Sequence, residues 1–260
     1  MSLDENVSFF AYAGFVVVVL FFQYLVSAQQ SDVVQNTVAR REDLHLQRKF
    51  QHLGTGVMIY AGFGYCDRLT GISMLLVFAL LFCGLRKLRS CSNAVNAAYI
   101  KCFSSILRQH EVSRLALPGA YYFLLGSSFS LAIFPLKVAR LAILHLSVGD
   151  PAAAFFGTLY GRHKLVTLFG KLGGNKSLEG SIGCFCVAAA ATFSALIAEQ
   201  KFFFGMTGEA EVVEIAWTIS LAAGVGAAVA ELVDIGGWDD NLTLPLLSGV
   251  FLQSTVGHLL

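Results

Sequence analysis

Apolar residues fall along this chain in long blocks, not in the strict alternation of half-buried strands or the narrow stripes of surface helices. The blocks at 9–26, 53–66, 69–85, 117–134, 138–157, 181–198, 212–230 and 242–260 hold few charged residues. Most of them approach the roughly 20 residues that a helix needs to cross about 30 Å of hydrocarbon. The pattern predicts an all-α fold, a polytopic integral membrane protein with about eight transmembrane helices. The first block lacks a basic flank and a small-residue cleavage site and follows Asp4-Glu5, so it reads as a retained helix rather than a signal peptide. The second carries Gly54, Gly56, Gly62 and Gly64, which predicts a broken, tilted or closely packed helix.

Composition agrees with this setting. Hydrophobic residues make up 56% of the 260 and charged residues only 13%, and mean hydropathy is +0.67, well outside the balance of a soluble domain. A formal net charge of +1 gives no global basic field of the kind that binds a nucleic acid polymer. The six cysteines form no CxxC pair and lie mostly in or beside apolar blocks, so they read as reduced, space-filling residues.

Charge position orients the helices. The connections 27–52, 86–116, 158–180 and 231–241 fall on one side and carry 4, 6, 4 and no Lys or Arg, against Arg68, Lys137, Arg140 and Lys201 on the other. Lys and Arg collect on the cytoplasmic side of membrane proteins, which places the first group in the cytosol. The acidic residues Glu209, Glu211 and Glu214 on the opposite side have no assigned role beyond a solvated loop.

Four features on the cytosolic side carry candidate chemistry. Asp150 stands beside Pro151, a helix breaker, within the apolar block 138–157. A carboxylate at hydrocarbon depth costs roughly 2.5 kcal/mol or more, so it needs a polar cavity, a partner charge or a metal. The segment from Glu231 through Asp234, Asp239, Asp240 and Asn241 holds four carboxylates and no cation, although it lies where cations otherwise collect. It reads either as a helix end with solvated acids or as oxygen ligands for a divalent cation such as Mg²⁺. The strings Gly157-Thr158-Leu159-Tyr160-Gly161-Arg162-His163-Lys164 and Gly173-Gly174-Asn175-Lys176-Ser177-Leu178-Glu179-Gly180 combine close-approach glycines with Lys and Arg, which describes a phosphate cradle. Asn175 replaces the glycine that a P-loop requires before its lysine and no strand precedes it, so a P-loop NTPase is excluded. Arg48 and His52, four apart on one helical face, lead from the cytosol into the second block and read as snorkelling residues or as substrate contacts.

Together these segments resemble the CTP-dependent lipid kinases, the group of dolichol kinase, phytol kinase and the yeast-type diacylglycerol kinase, which is distantly similar to the phosphatidate cytidylyltransferases. Arg48-Lys49 with His52, Gly149-Asp150 to Gly161-Arg162, Lys176 to Ser181, and Glu231 followed by Asp239 to Pro245 carry the resemblance in order. It covers 48–260, leaving 1–47 as an N-terminal transmembrane helix and basic connector.

The resemblance implies transfer of the γ-phosphoryl group of CTP to the hydroxyl of a membrane lipid alcohol, with Mg²⁺ or another divalent cation. Diacylglycerol is the favoured acceptor, ahead of dolichol and phytol. Catalytic roles are expected for Asp150, Lys176 and Glu231; metal contacts for Asp150, Glu231, Asp239 and Asp240; and substrate contacts for Arg48, His52, Gly157, Gly161, Arg162, Lys164, Ser177, Glu179, Gly180 and Asn241. Asp150 is either the base or a metal ligand. The expected partners are CTP, the lipid alcohol and the bilayer, with no nucleic acid polymer and no identifiable protein. The expected location is the endoplasmic reticulum with the site facing the cytosol, or a plastid membrane if phytol is the acceptor. A phosphatidate cytidylyltransferase, releasing pyrophosphate, and a transporter are the rival classes. The two halves of the chain show no self-similarity of the kind that marks many transporters.

Overall fold

A computed structural model describes residues 46–63, 66–103, 107–113, 116–165, 176–205 and 210–260. Among them the chain is helical, and its β structure is one isolated bridge between Lys164 and Ser177. It divides into two compact units, 1–128 and 129–260. The predicted first span and the basic connector fall mostly in 1–45, outside the described residues.

The first unit contains α1 (Leu46–Gly62), α2 (Arg68–Cys91), α3 (Asn93–Phe103), a 3-10 turn (Gln109–Val112) and the start of α4 (Gly119–Ile133), whose last turn belongs to the second unit. Asp67 caps α2: its carboxylate accepts from Thr70 N at 3.0 Å and from the Thr70 hydroxyl at 2.6 Å, satisfying N–H groups that the first turn leaves open. The helix does not stop at 85, where the apolar block ends, but continues to Cys91 and takes in Arg86, Lys87 and Arg89. Arg89 is 1% exposed although it lies in the expected cytosolic connection. Its guanidinium donates to the Asn96 side chain at 3.1 Å and to the carbonyls of Glu111, Val112 and Ser113 at 3.3, 3.1 and 3.3 Å, and it lies 3.9 Å over the Tyr99 ring. Buried Glu111 accepts from Arg108 N at 2.9 Å and Gly119 N at 2.7 Å. These two charged side chains fold the connection back on the end of α2.

The second unit contains α5 (Leu136–Tyr160), α6 (Leu178–Ala198), the short α7 (Gln200–Phe204), α8 (Ala210–Leu232) and α9 (Asp240–Thr255). Helix α5 packs against α6 and α9, and α8 packs against α6 and α9. Small residues set the spacing. Gly149, Ala153 and Gly157 recur every four residues on α5, as do Gly180, Cys184 and Ala188 on α6. A Cβ added at Gly180 would lie 2.8 Å from the Ala153 carbonyl oxygen and 3.3 Å from the Gly157 Cα, so the two backbones are nearly in contact there. Lipid chains are as apolar as leucine, and it is such close packing, not apolar burial, that holds spanning helices together.

Polar groups join the same helices at depth. Fully buried His145 on α5 is hydrogen-bonded through Nδ1 to the Ser248 hydroxyl of α9 at 2.6 Å and through Nε2 to the Thr192 hydroxyl of α6 at 2.9 Å. At the other end from the loop 161–177, Arg140 pairs with Glu199 at 2.7 Å and stacks on Phe202, while Lys137 donates to the Phe203 carbonyl at 2.6 Å.

The structure supports the polytopic all-α class but not the count of eight. Among the described residues four helices, α2, α5, α6 and α8, are long and apolar enough to cross a membrane, and α4 is a shorter apolar helix. The block 53–66 belongs to a helix that starts at Leu46 and takes in Arg48, Lys49, Gln51 and His52, which dilutes its apolar character. The block 242–260 is the 16-residue α9, about 24 Å at 1.5 Å per residue, short of the hydrocarbon thickness. Pro151, read as a breaker, lies inside α5 without ending it. Packed neighbours and Ser or Thr hydroxyls let a spanning helix absorb a proline, and Ser147 bonds back to the Ile143 carbonyl at 2.6 Å one turn earlier.

Arg89→Ala leaves three carbonyls and the Glu111 turn without their donor. Its expected cost is about 2–4 kcal/mol, read as a lower thermal midpoint in detergent and faster proteolysis between residues 92 and 118, with an unchanged midpoint as the contrary result.

Candidate functional site

Helix α5 ends at Gly161, and the chain runs through exposed Arg162, His163 and Lys164 into a clip with the strand-like residues before α6. Leu165 N donates to the Lys176 carbonyl and Leu178 N to the His163 carbonyl, both at 2.9 Å. The clip closes a connection, 166–175, that includes Gly173, Gly174 and Asn175 and lies outside the described residues. Buried Ser177 caps α6, its hydroxyl accepting from Gly180 N at 3.2 Å. Room for that hydroxyl comes from missing side chains: a Cβ at Gly161 would lie 2.8 Å from it and one at Gly157 3.2 Å. Gly157, Gly161, Ser177 and Gly180 therefore form one packed corner that fixes where Lys176 points.

Lys176 reaches across to the ends of two other helices. Its ammonium lies 3.3 Å from Glu231 Oε1, in the last turn of α8, and 3.6 Å from Asp240 Oδ2, in the first turn of α9, and it donates to the Glu231 main-chain carbonyl. Burial alone would lower the Lys176 pKa, but the charges of Glu231, Asp240 and Asp150 outweigh it and hold the ammonium above its ordinary 10.5. Asp150 is half-buried on α5. Its neighbour Gly149 packs at Cys184, seven residues or about two turns past Ser177, so this carboxylate lies deeper than the others.

The remaining candidates take separate places. Asp239 caps α9 by accepting from Asn241 N at 3.0 Å, and the Asn241 side chain is buried behind it. Glu179 pairs with the His163 ring at 2.7 Å, a contact that sequence reading missed because His163 was one unmarked residue in a basic string. Arg48 and His52 belong to α1 in the first unit, where the His52 ring meets Phe123 edge-on at 4.8 Å, whereas the Lys176 cluster is built wholly within the second unit.

Among the described residues no group of three or more His, Cys, Asp or Glu gathers as a metal site. The structure thus does not assemble Asp150, Glu231, Asp239 and Asp240 into a protein cage. The donor chemistry still suits Mg²⁺, which commonly takes one or two carboxylates and completes its shell with water and substrate phosphates. Glu231 and Asp240, facing each other across Lys176, are such a pair.

The chain is similar to proteins named CTP-dependent diacylglycerol kinase 1. The relative from Saccharomyces cerevisiae is 31% identical over 173 residues, covering 62% of this chain and 56% of the relative. That from Eremothecium gossypii is 30% identical, covering 63% and 51%, and that from Schizosaccharomyces pombe is 29% identical, covering 61% and 69%. The chain thus spans about half the length of the first two. No family model matches it, and no solved structure matches it. The three similarities support the resemblance to the CTP-dependent lipid kinases that the motifs carry.

Because the pKa of Lys176 is raised on folding, the stability it contributes is fully present below pH 10.5 and fades as pH rises through the higher folded value. Lys176→Met is expected to lower stability at neutral pH by about 3 kcal/mol, since it leaves Glu231 buried without that cation. The gap between wild type and variant should stay constant up to about pH 10 and narrow above 10.5 in unfolding measurements; a gap that widens with pH would contradict the assignment.

Proposed function

We propose that this chain is a CTP-dependent lipid kinase that transfers the γ-phosphoryl group of CTP to the hydroxyl of diacylglycerol, giving phosphatidate and CDP, at the cytosolic face of the endoplasmic reticulum membrane. The observation that carries the reading is the Lys176 ammonium held between Glu231 and Asp240 and within the field of Asp150, where helices of a membrane protein end. The similarity to CTP-dependent diacylglycerol kinases supplies the donor and acceptor.

The parts divide by depth. Arg162 and Lys164 are exposed beside the N-terminus of α6, where a nucleotide arriving from water meets cationic side chains and open backbone N–H groups. Lys176 stands between that surface and the carboxylates and binds the transferring phosphoryl group. Asp150 lies about two turns deeper, where a lipid hydroxyl anchored in hydrocarbon comes to rest, and takes its proton as the oxygen attacks the γ-phosphorus. The bond from the γ-phosphorus to the bridging oxygen breaks, and CDP carries that oxygen away. Glu231 and Asp240 would hold Mg²⁺, which would supply positive charge against the phosphates. Asn241 contacts a phosphate or the base.

Purified protein in liposomes should move label from γ-labelled CTP to diacylglycerol only with a divalent cation present, yielding CDP. With phosphatidate supplied in place of diacylglycerol, release of pyrophosphate with a CDP-lipid product would instead assign a cytidylyltransferase. Asp150→Asn should reduce transfer by about 10³-fold or more without loss of folded protein; retained activity would remove Asp150 from the site. Lys176→Ala should raise KM for CTP more than KM for lipid, and the opposite ratio would displace the proposed phosphate contact.

A further inference from the structure

Lys176 holds its ammonium among three oxygens: Glu231 Oε1 at 3.3 Å, Asp240 Oδ2 at 3.6 Å and the Glu231 main-chain carbonyl. An ammonium has three N–H donors and no acceptor, so a phosphate gains this cation only as it leaves the carboxylates. The same two carboxylates are the oxygens that suit a divalent cation, and a second positive charge placed between them meets the ammonium at short range. Phosphate contact by Lys176 and metal contact by Glu231 and Asp240 therefore cannot be made while these ion pairs stand.

The surroundings show which way the lysine can leave. The Lys176 side chain is 23% exposed, that of Glu231 9% and that of Asp240 42%, so the ammonium lies between a buried carboxylate and one that meets water. Its backbone is fixed: Leu165 N donates to the Lys176 carbonyl at 2.9 Å, and the next residue, Ser177, bridges to Lys164. Movement is left to the flexible four-carbon side chain. Arg162 and Lys164, exposed on the same clip, draw an anion to that side.

We propose that Lys176 is the resident counter-cation of the Glu231–Asp240 pair, and that a nucleotide triphosphate, by drawing the ammonium onto its phosphates, opens the pair to a divalent cation. The inference rests on the kinase reading above and gives that site its order of filling. One cation replaces another, so buried Glu231 is at no stage without a positive partner. Triphosphate and metal each bind better once the other has taken its share of the ion pairs, and such coupling is reciprocal. Without nucleotide, the carboxylates stay closed to the metal alone.

Mn²⁺ binding without nucleotide, followed by electron paramagnetic resonance on protein in detergent, tests the exchange. Wild type should bind Mn²⁺ weakly. Lys176→Met should bind it tighter by about tenfold or more, and its thermal midpoint should rise with added Mn²⁺ while that of wild type does not. Adding Glu231→Gln to Lys176→Met should abolish the gain. Lys176→Arg, which keeps a cation, and Lys164→Met, which removes one outside the cluster, should both stay at the wild-type level. No gain in Lys176→Met, an equal gain in Lys164→Met, or a gain that survives Glu231→Gln would overturn the proposal. Lys176→Gln gives the same comparison if Lys176→Met does not fold, and tight Mn²⁺ binding by wild type that Glu231→Gln removes would overturn the proposal without either variant. Unchanged affinity in a protein that transfers phosphoryl groups from CTP refutes the exchange and leaves the kinase reading standing. The predicted gain in a protein that transfers none refutes the kinase reading and leaves Lys176 as the counter-cation.

Discussion

An ammonium at the edge of a hydrocarbon layer is tolerable only where opposite charge reaches it before water is lost, and Lys176 meets that condition through two helices distant in sequence. Glu231 closes α8 and Asp240 opens α9, so one lysine fixes the junction between them and ties both to the start of α6. The tie needs the lysine aimed across the bundle. Its aim depends on the Ser177 cap and on the bare Cα atoms of Gly157, Gly161 and Gly180 that let the cap seat. Backbone contact between α5 and α6 and charge contact between α6, α8 and α9 are thus one arrangement, and bulk added at the glycine corner would displace the ammonium.

Much of this was legible in the residues. Blocks of apolar sequence located α5, α6 and α8 to within a few positions, because helices that meet lipid on one side and small residues on the other are apolar nearly all round. Counting Lys and Arg put 158–180 and 231–241 on one face, and Lys176 does meet Glu231 and Asp240 there. The helix ends were less visible. Arg86, Lys87 and Arg89 looked like a loop, since a guanidinium buried against main-chain carbonyls leaves no periodic signal, and its partners Glu111 to Ser113 come more than twenty residues later. Lys176 and Ser177 were recognisable as cradle residues, but not that the hydroxyl would cap a helix while the ammonium crossed to two others. That division depends on how closely α5 approaches α6, a distance that small residues permit without specifying.

Charge is graded through the second unit. Exposed Arg162, His163 and Lys164 face water, paired Lys176, Glu231 and Asp240 sit behind them, half-buried Asp150 lies below, and neutral hydrogen bonds around His145 follow within the bundle. Such an order suits a reaction between a nucleotide and a lipid, whose reacting groups approach from opposite sides of a boundary. Asp150 is kept apart from Glu231 and Asp240, the two carboxylates that hold the Lys176 ammonium.

The His145 hydrogen bonds have a mechanical consequence. An imidazole clamped between hydroxyls on two different helices cannot follow either one along its axis, because a slip of one residue, about 1.5 Å, breaks at least one short bond inside hydrocarbon. Helix α5 is thereby barred from moving as a piston, and the height of its Tyr160 end is set from within the bundle instead of from the chain that follows it.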